Sequence, residues 1–417
     1  MKPVYRKTEA GVIPEDWEIS RLGDFSLTSS GTTPARALKD RYYKNGKIGW
    51  VKTLDLRNTE LLATSECVTE LAFKETSLTI YPVGTVLVAM YGGFQQIGRT
   101  GLLRIPAAVN QAITAIQPKG DKLHSEYLLA TLNYRVGYWK NVASSSRKDP
   151  NISSQDIRNF PIAYPKPPEQ RAIAKALRDV GALLSSLDRL ISKKRDLKTA
   201  AMQQLLTGKT RLPGFSGEWD QVTLGSLFSF KNGLNKAKEF FGYGTPIVNY
   251  MDVFRCSKIR TAQLTGRVML TTQEIQNFDV KRGDVFFTRT SETPEEIGIA
   301  SVMIDEPRLT VFSGFLLRGR RKNDRLCDVF KAYCFTSELV RKQIISKASY
   351  TTRALTSGTI LSAVILPIPP LPEQIAIAEV LSEMDAELAA LEKRRDKTRD
   401  LKQGMMQELL TGRIRLI

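Results

Sequence analysis

Two short stretches of this 417-residue chain carry residue types that could act on a nucleotide or a base. Gly208-Lys209-Thr210 has the ending of a phosphate-binding loop, in which backbone amides and a lysine cradle phosphate oxygens. Gln203 stands where that motif needs its first glycine, so the triplet reads as a helix stop followed by a basic turn. Phe241-Gly242-Tyr243-Gly244 has the look of an adenosylmethionine-binding glycine loop, yet Thr245-Pro246 and a strand-like run follow where a helix should open, and a turn fits better. No Asn-Pro-Pro-aromatic or Asp-Pro-Pro-aromatic motif for methylating a base amino group occurs. With His124 as the single histidine, histidine-based triads and zinc sites lack parts. Cys67, Cys256, Cys327 and Cys334 match no zinc or redox spacing and read as free thiols. Scattered carboxylates carry no signature and leave a carboxylate nuclease centre open. No catalytic residue, metal ligand or cofactor is assigned.

Charge points to a binding function instead. A formal net charge of +18 and a pI near 9.7 suit a polyanionic partner, of which nucleic acid is the commonest. Residues 1–165 and 213–368 each carry +6, residues 166–212 carry +7, and residues 369–417 carry −1. Equal excess on two separate stretches is what two polyanion-binding modules would show. Their polar, Gly-containing loops hold Arg and Lys suited to guanine or phosphate, Gln suited to adenine, and aromatics suited to stacking or a thymine methyl. The candidates for double-stranded DNA are Lys52, Thr53, Arg57, Tyr91, Gln95, Gln96, Arg99, Arg147 and Lys148 in the first module. In the second they are Asn249, Tyr250, Arg255, Arg289, Thr290, Ser291, Thr352 and Arg353. Most such contacts in any complex go to phosphate and sugar, which position the protein without specifying sequence.

The elements that must hold these loops repeat. PEQRAIAKAL…QQLLTGKTRL from Pro168 aligns without a gap onto PEQIAIAEVL…QELLTGRIRL from Pro372, at an offset of 204 residues and with about half the positions identical. Each copy opens on proline, suited to a first helical turn, and ends in Leu-Leu-Thr-Gly, suited to a left-handed stop at Gly208 and Gly412. Ile173, Leu177, Val180, Leu184, Leu187 and Ile191 step by 4 and 3, as do Ile377, Leu381, Met384, Leu388 and Leu391, which is the period of a coiled-coil seam. Packed against each other, such helices make a rod on the order of 55 to 60 Å long. Antiparallel pairing sets the acids between Glu373 and Glu392 beside Arg189, Lys193, Lys194, Arg195 and Lys198, and brings Arg171, Lys175 and Arg178 towards Arg394, Arg395, Lys397 and Arg399.

Residues 1–165 read as α/β, with strands in IGWVKTLDL (48–56), TVLVAM (85–90) and TGLLRI (100–105) and one amphipathic helix over 124–140. The second half echoes this frame: Trp219, Leu224 and Gly225 match Trp17, Leu22 and Gly23 at an offset of 202, while the loops diverge. The expected fold class is α+β, with two tandem α/β recognition domains separated by a pair of long antiparallel coiled-coil helices. The boundaries are 1–165, 166–212, 213–368 and 369–417. No charged leader precedes an apolar run, and no apolar run reaches 18 residues, so a cytoplasmic protein with no membrane contact is expected.

The order module, PEQ helix ending in LLTG, module, PEQ helix ending in LLTG resembles the specificity subunit of type I restriction-modification systems over essentially the whole chain. SGTTPAR…YYKNGKIGWVKTLDL (30–56) is similar to the start of that family's target recognition domains, with Thr32 where glycine is usual. The resemblance implies that each domain reads one half of a bipartite DNA site, that the helix pair sets the spacing, and that the helices dock methyltransferase subunits, two being expected. It also implies that restriction subunits join through the complex, and that methylation and cleavage belong to those partners. Charge alone leaves open a stand-alone two-module DNA-binding regulator or architectural protein, or an RNA-binding adaptor.

Overall fold

The computed structural model describes residues 4–93, 95–143, 151–350 and 353–416. The chain divides into two units: residues 1–188 with 393–417, and residues 189–392.

In the first unit eight strands build two sheets: β1 (Ser26–Ser30), β2 (Ile48–Val51), β3 (Thr59–Leu61), β4 (Glu66–Val68), β5 (Val86–Ala89), β6 (Thr100–Leu103), β7 (Ala107–Val109) and β8 (Ile113–Pro118). The larger sheet has the order β1-β8-β5-β6-β3 and the smaller β7-β2-β4. Every residue of β5 is buried, because both faces of the sheet are covered. Val86 and Val88 face one core with Leu128, Leu132 and Trp139, while Leu87 and Ala89 face another with Val51, Leu103 and Ile113, the alternation that a strand imposes.

The second unit supplies β9 (Phe228–Asn232), β10 (Phe241–Val248), β11 (Lys258–Ile259), β12 (Arg267–Val268), β13 (Val285–Thr288), β14 (Ala300–Met303), β15 (Val311–Phe312) and β16 (Leu316–Arg321). Its sheets run β9-β16-β13-β14-β11 and β15-β10-β12. Adding eight to each label of the first unit reproduces both orders, so the sequence echo is a repeated topology. The parallel pairs repeat as well: β3 with β6 and β11 with β14, β7 with β2 and β15 with β10.

Two helices of 39 residues each, α1 (Pro167–Leu205) and α2 (Leu371–Leu409), carry the repeat. Both stop as expected at glycines in the left-handed region, Gly208 at φ +69° and Gly412 at φ +70°. The helices are antiparallel within each unit. Asp188 faces Arg395 at 3.9 Å in the first, and in the second Lys194 pairs with Glu387 at 2.6 Å while Arg195 pairs with Glu392 and Lys198 with Asp385. The complementary end expected from charge therefore forms. The other end is corrected: Arg395 meets Asp188, while Arg178 pairs with Glu126 at 2.7 Å and Lys175 with Asp179 at 2.7 Å, so the two basic runs lie at different heights along the pair.

Of the seam residues, Ile173, Leu177, Leu187, Ile191, Ile377 and Leu381 are buried, and Val180, Leu184, Met384, Leu388 and Leu391 partly so. The seam widens at its ends. Ile173, Ala174 and Leu177 join the first unit's core with Leu409 and Leu410, and Ile377, Ala378 and Leu381 join the second's with Leu205 and Leu206. A helix end that rests on a module must present a broader apolar stripe than one facing a single partner helix.

The helix expected over 124–140 is two, Ser125–Tyr134 and Tyr138–Val142. Arg135 ends the first by donating to the Pro161 carbonyl and lying 4.7 Å over the Phe160 ring, and the turn that follows lets Trp139 bury completely.

Candidate nucleic-acid interface

In the first unit β2 runs out into Lys52, whose amide donates to Asp55 Oδ2 (2.8 Å) and closes a tight turn over Thr53–Asp55. The second unit repeats the device after β10, where the Asn249 amide donates to Asp252 Oδ2 (2.8 Å) at the start of helix Tyr250–Arg255. Beside Lys52 the Asn110 amide donates to Val51 O (3.0 Å), and the Met90 amide to Ala112 O (2.8 Å). The ends of β2 and β5 are thereby tied to one turn, which gathers Lys52, Thr53 and the loop beginning at Tyr91.

That loop is bent by Gly92 (φ +112°) and Gly93 (φ +76°) and leaves Tyr91 43% exposed. Gln96 packs over Gly92, and Arg99 Nε donates to Gln95 O (3.0 Å), so these two candidates are partly spent on loop shape. Arg57 is exposed but lies in a cleft lined by α1 and α2, apart from the gathered strand ends. Arg147 and Lys148 lie outside the described residues, as does Thr352 in the second unit.

Lys52 is not free. Its Nζ is 3.2 Å from Glu66, which also takes both arms of Arg36 at 2.5 and 3.0 Å. The Arg36 guanidinium, and to a lesser degree Lys52, holds the Glu66 carboxyl below its usual range against the opposing effect of burial. Arg36 also lies over the Tyr43 and Trp50 rings, at 4.3 and 4.9 Å from their centroids. Arg36 and Glu66 were missed in the sequence, because only folding brings β4 beside the residues before β2.

In the second unit β13 leads into Arg289, whose backbone is pinned on both sides: its amide donates to Phe315 O (2.9 Å) and its carbonyl accepts from Thr356 N (3.0 Å). The residue is half-buried, and its guanidinium has no partner among the described residues. Thr290 and Ser291 then pair with Leu355 and Ala354, which puts Arg353 beside them, 3.8 Å from Glu292. Tyr250 stacks on Phe254 at 5.8 Å, and burial raises its hydroxyl pKa against a hydrogen bond with Ser291. Ser291 is 6% exposed, donates to Glu296 (3.2 Å) and accepts from the Thr293 amide (3.2 Å), so it shapes the loop instead of presenting a hydroxyl outward. Arg255 is exposed at the end of its helix, whereas Asn249 is half-buried.

The residues that lock the frame carry the repeat's most regular chemistry, and the sequence reading named none of them as a site. Gln170 accepts from the His124 amide (2.9 Å) and donates to the Lys122 and Pro165 carbonyls; Gln374 does the same with the Cys327 amide (2.8 Å) and the Arg325 and Pro369 carbonyls. The signal was present in the twice-repeated Pro-Glu-Gln. Among the described residues no cluster of three or more His, Cys, Asp or Glu could hold a metal, and no helix is long and apolar enough to cross a membrane.

A family model described as the type I restriction modification DNA specificity domain matches residues 14–193 and again 216–398. The MjaIX specificity subunit of a type I restriction enzyme from Methanocaldococcus jannaschii is 23% identical, over 99% of this chain and 96% of its own length. The EcoKI specificity subunit from Escherichia coli is 21% identical, over 92% and 85%. The type I restriction-modification S subunit from M. genitalium shares the fold at a TM-score of 0.59 and 14% identity, covering 98% of this chain and 99% of that one. A structure from a study of type I complex assembly and conformational transition does so at 0.57 and 16%, covering 96% and 99%. With two matched domains on one repeated frame, the chain belongs to the type I restriction modification DNA specificity domain family and is a non-catalytic specificity subunit of that family.

Proposed function

We propose that each module reads one half of a bipartite DNA sequence and that the helix pair fixes the unread gap between the halves. The observation that carries this reading is one topology built twice with different loops at the same strand ends. Each module gains affinity by neutralising phosphates, and a few loop residues add about 1–3 kcal/mol of discrimination per well-read base pair. Arg289, Thr290, Arg353, Tyr250 and Arg255 in the second module, and Tyr91 and Thr53 in the first, are the side chains best placed to do so, while Lys52 is held by Glu66. Gln95, Gln96, Arg99 and Ser291 support them by shaping the loops. Joining two modest binders makes the second contact effectively intramolecular when the half-sites lie at the spacing the helices allow.

The helices also dock two methyltransferase subunits, through which restriction subunits join, and the assembly works in the cytoplasm. Mapping modified bases in a genome with and without this gene tests the reading. A gapped, two-part motif that vanishes on deletion is expected; an unchanged methylation pattern, or loss of a single ungapped motif, would refute it. Copurification with a methyltransferase distinguishes this role from that of a stand-alone DNA-binding regulator.

A further inference from the structure

The turn between β15 and β16 is held at three places. The Ser313 amide donates to Val248 O (2.9 Å), the Gly314 amide to Leu234 O (2.7 Å), and the Leu316 amide closes the turn on Ser313 O (3.0 Å). On this fixed backbone Phe315 is 60% exposed, between the buried residues Gly314 and Leu316. A single exposed ring is ordinary on a protein surface. What distinguishes Phe315 is its neighbour.

Strands β13 and β16 run antiparallel with Thr288 opposite Leu316, and one residue further the Arg289 amide donates to Phe315 O (2.9 Å). Residues opposed across such a bond have Cα atoms about 5.5 Å apart. The ring and the guanidinium of Arg289, which has no partner among the described residues, therefore start from neighbouring backbone positions. Arg353, next to the Ala354 that pairs with Ser291, adds a second cation to this edge. The first unit builds the same turn and leaves it plain. Its Met90 amide donates to Ala112 O (2.8 Å) and its Ile113 amide to Asn110 O (3.1 Å), so Met90 and Ala112 are the counterparts of Arg289 and Phe315. Met90 is 3% exposed, and neither residue offers a cation or a ring.

The chemistry of the pair says what it would meet. Two arginines on a module that carries +6 suit a polyanion. On a duplex, arginine reads guanine N7 and O6 in the major groove, and the thymine C5-methyl, the apolar group on a base edge, lies in that same groove. Successive base pairs are about 3.4 Å apart, which an arginine and a ring on adjoining backbone positions can span. Phosphate oxygens, by contrast, give a ring nothing to cover.

We propose that Phe315 is a specificity-determining residue of the second module: its ring covers the C5-methyl of a thymine in the base pair next to the one that Arg289 reads. The first module, with Ala112 at this position, makes no such contact there. This inference deepens the reading of two DNA-binding modules and rests on it.

The test uses the full-length chain with the methyltransferase it copurifies with, and short duplexes carrying the motif found by methylation mapping. Each thymine of the motif is replaced in turn by deoxyuridine, which removes only the methyl, and binding is measured by competition. One replacement in the second half-site is expected to weaken wild-type binding by about fourfold, the worth of burying one carbon. Phe315→Ala binds the thymine and uracil duplexes alike at that position, Phe315→Leu keeps part of the preference, and Arg289→Ala keeps it while relaxing the adjoining base pair. Responses in the first half-site are the same in all three variants as in wild type. The ring is exposed, so Phe315→Ala is expected to melt with wild type, which separates its effect from misfolding. The proposal is overturned if no thymine of the second half-site matters, if the effect survives in Phe315→Ala, or if it lies away from the base pair that Arg289→Ala relaxes. Equal weakening of every duplex by Phe315→Ala, as insertion between bases would give, also overturns it. Each of these outcomes on a gapped motif leaves the two-module reading standing, whereas absence of a two-part motif overturns both.

Discussion

Arg415 Nε lies 2.7 Å from Glu169 Oε1 across 246 residues of chain, and Arg211 pairs with Glu373 in the same way at 2.5 Å. Glu169 and Glu373 are repeat counterparts, as are Arg211 and Arg415. The acid that opens each long helix is thus held by the arginine that follows the other. A tryptophan accompanies each pair, Trp17 with its centroid 6.0 Å from the Arg415 guanidinium and Trp219 at 5.6 Å from that of Arg211. The Glu in Pro-Glu-Gln and the Arg four residues after Thr-Gly's threonine are therefore one device written in two places.

Breaking this lock should cost more than an ordinary surface ion pair. The Glu169 side chain is 7% exposed, so Arg415→Met leaves a nearly buried carboxylate without its partner. The expected loss is about 3–5 kcal/mol in denaturant unfolding, much of it regained when Glu169→Gln is added.

The two helix stops should respond unequally to alanine. Both glycines have positive φ, but a Cβ on Gly412 would meet the Pro14 ring at 2.5 Å, whereas on Gly208 it would only touch Trp219 at 3.4 Å. Gly208→Ala is expected to cost about 1–2 kcal/mol from backbone strain alone. Gly412→Ala should lower the melting temperature further, because a proline ring cannot move aside.

Glu66 ties stability to acid. Its pKa in the folded chain lies below the ordinary 4.5, so its contribution is complete above about pH 4.5 and is lost as pH falls through the folded value. Glu66→Gln should lower the melting temperature at neutral pH, and the gap from wild type should narrow as pH falls below about 4.5.

Arg289 is expected to read the second half-site. Arg289→Ala should reduce discrimination there by about 10- to 100-fold and leave the first half unchanged in methylation mapping. Loss of specificity in both halves would contradict the division of labour between modules.

Spacing should follow helix length. Inserting about one helical turn before Gly208, which adds about 5.4 Å of rise, should lengthen the unread gap by roughly one to two base pairs of about 3.4 Å each. Sequencing of modified sites measures it directly, and an unaltered gap would count against the helices as the spacer.

The sequence by itself determined what depends on neighbours along the chain: two helices from their period and punctuation, their glycine stops, the repeated frame, the basic charge, and the α+β class. Those signals are local or repeat at a fixed offset, so no partner strand is needed to see them. The break at Arg135 escaped it because the carbonyl and ring that hold that arginine come from Pro161 and Phe160. Only the tertiary structure decided which candidates are spoken for. Lys52 and Arg36 share Glu66, Ser291 is buried, and Arg289 is left without a partner among the described residues. Whether a charge is free depends on which distant side chain folding sets beside it, and residue type carries no record of that.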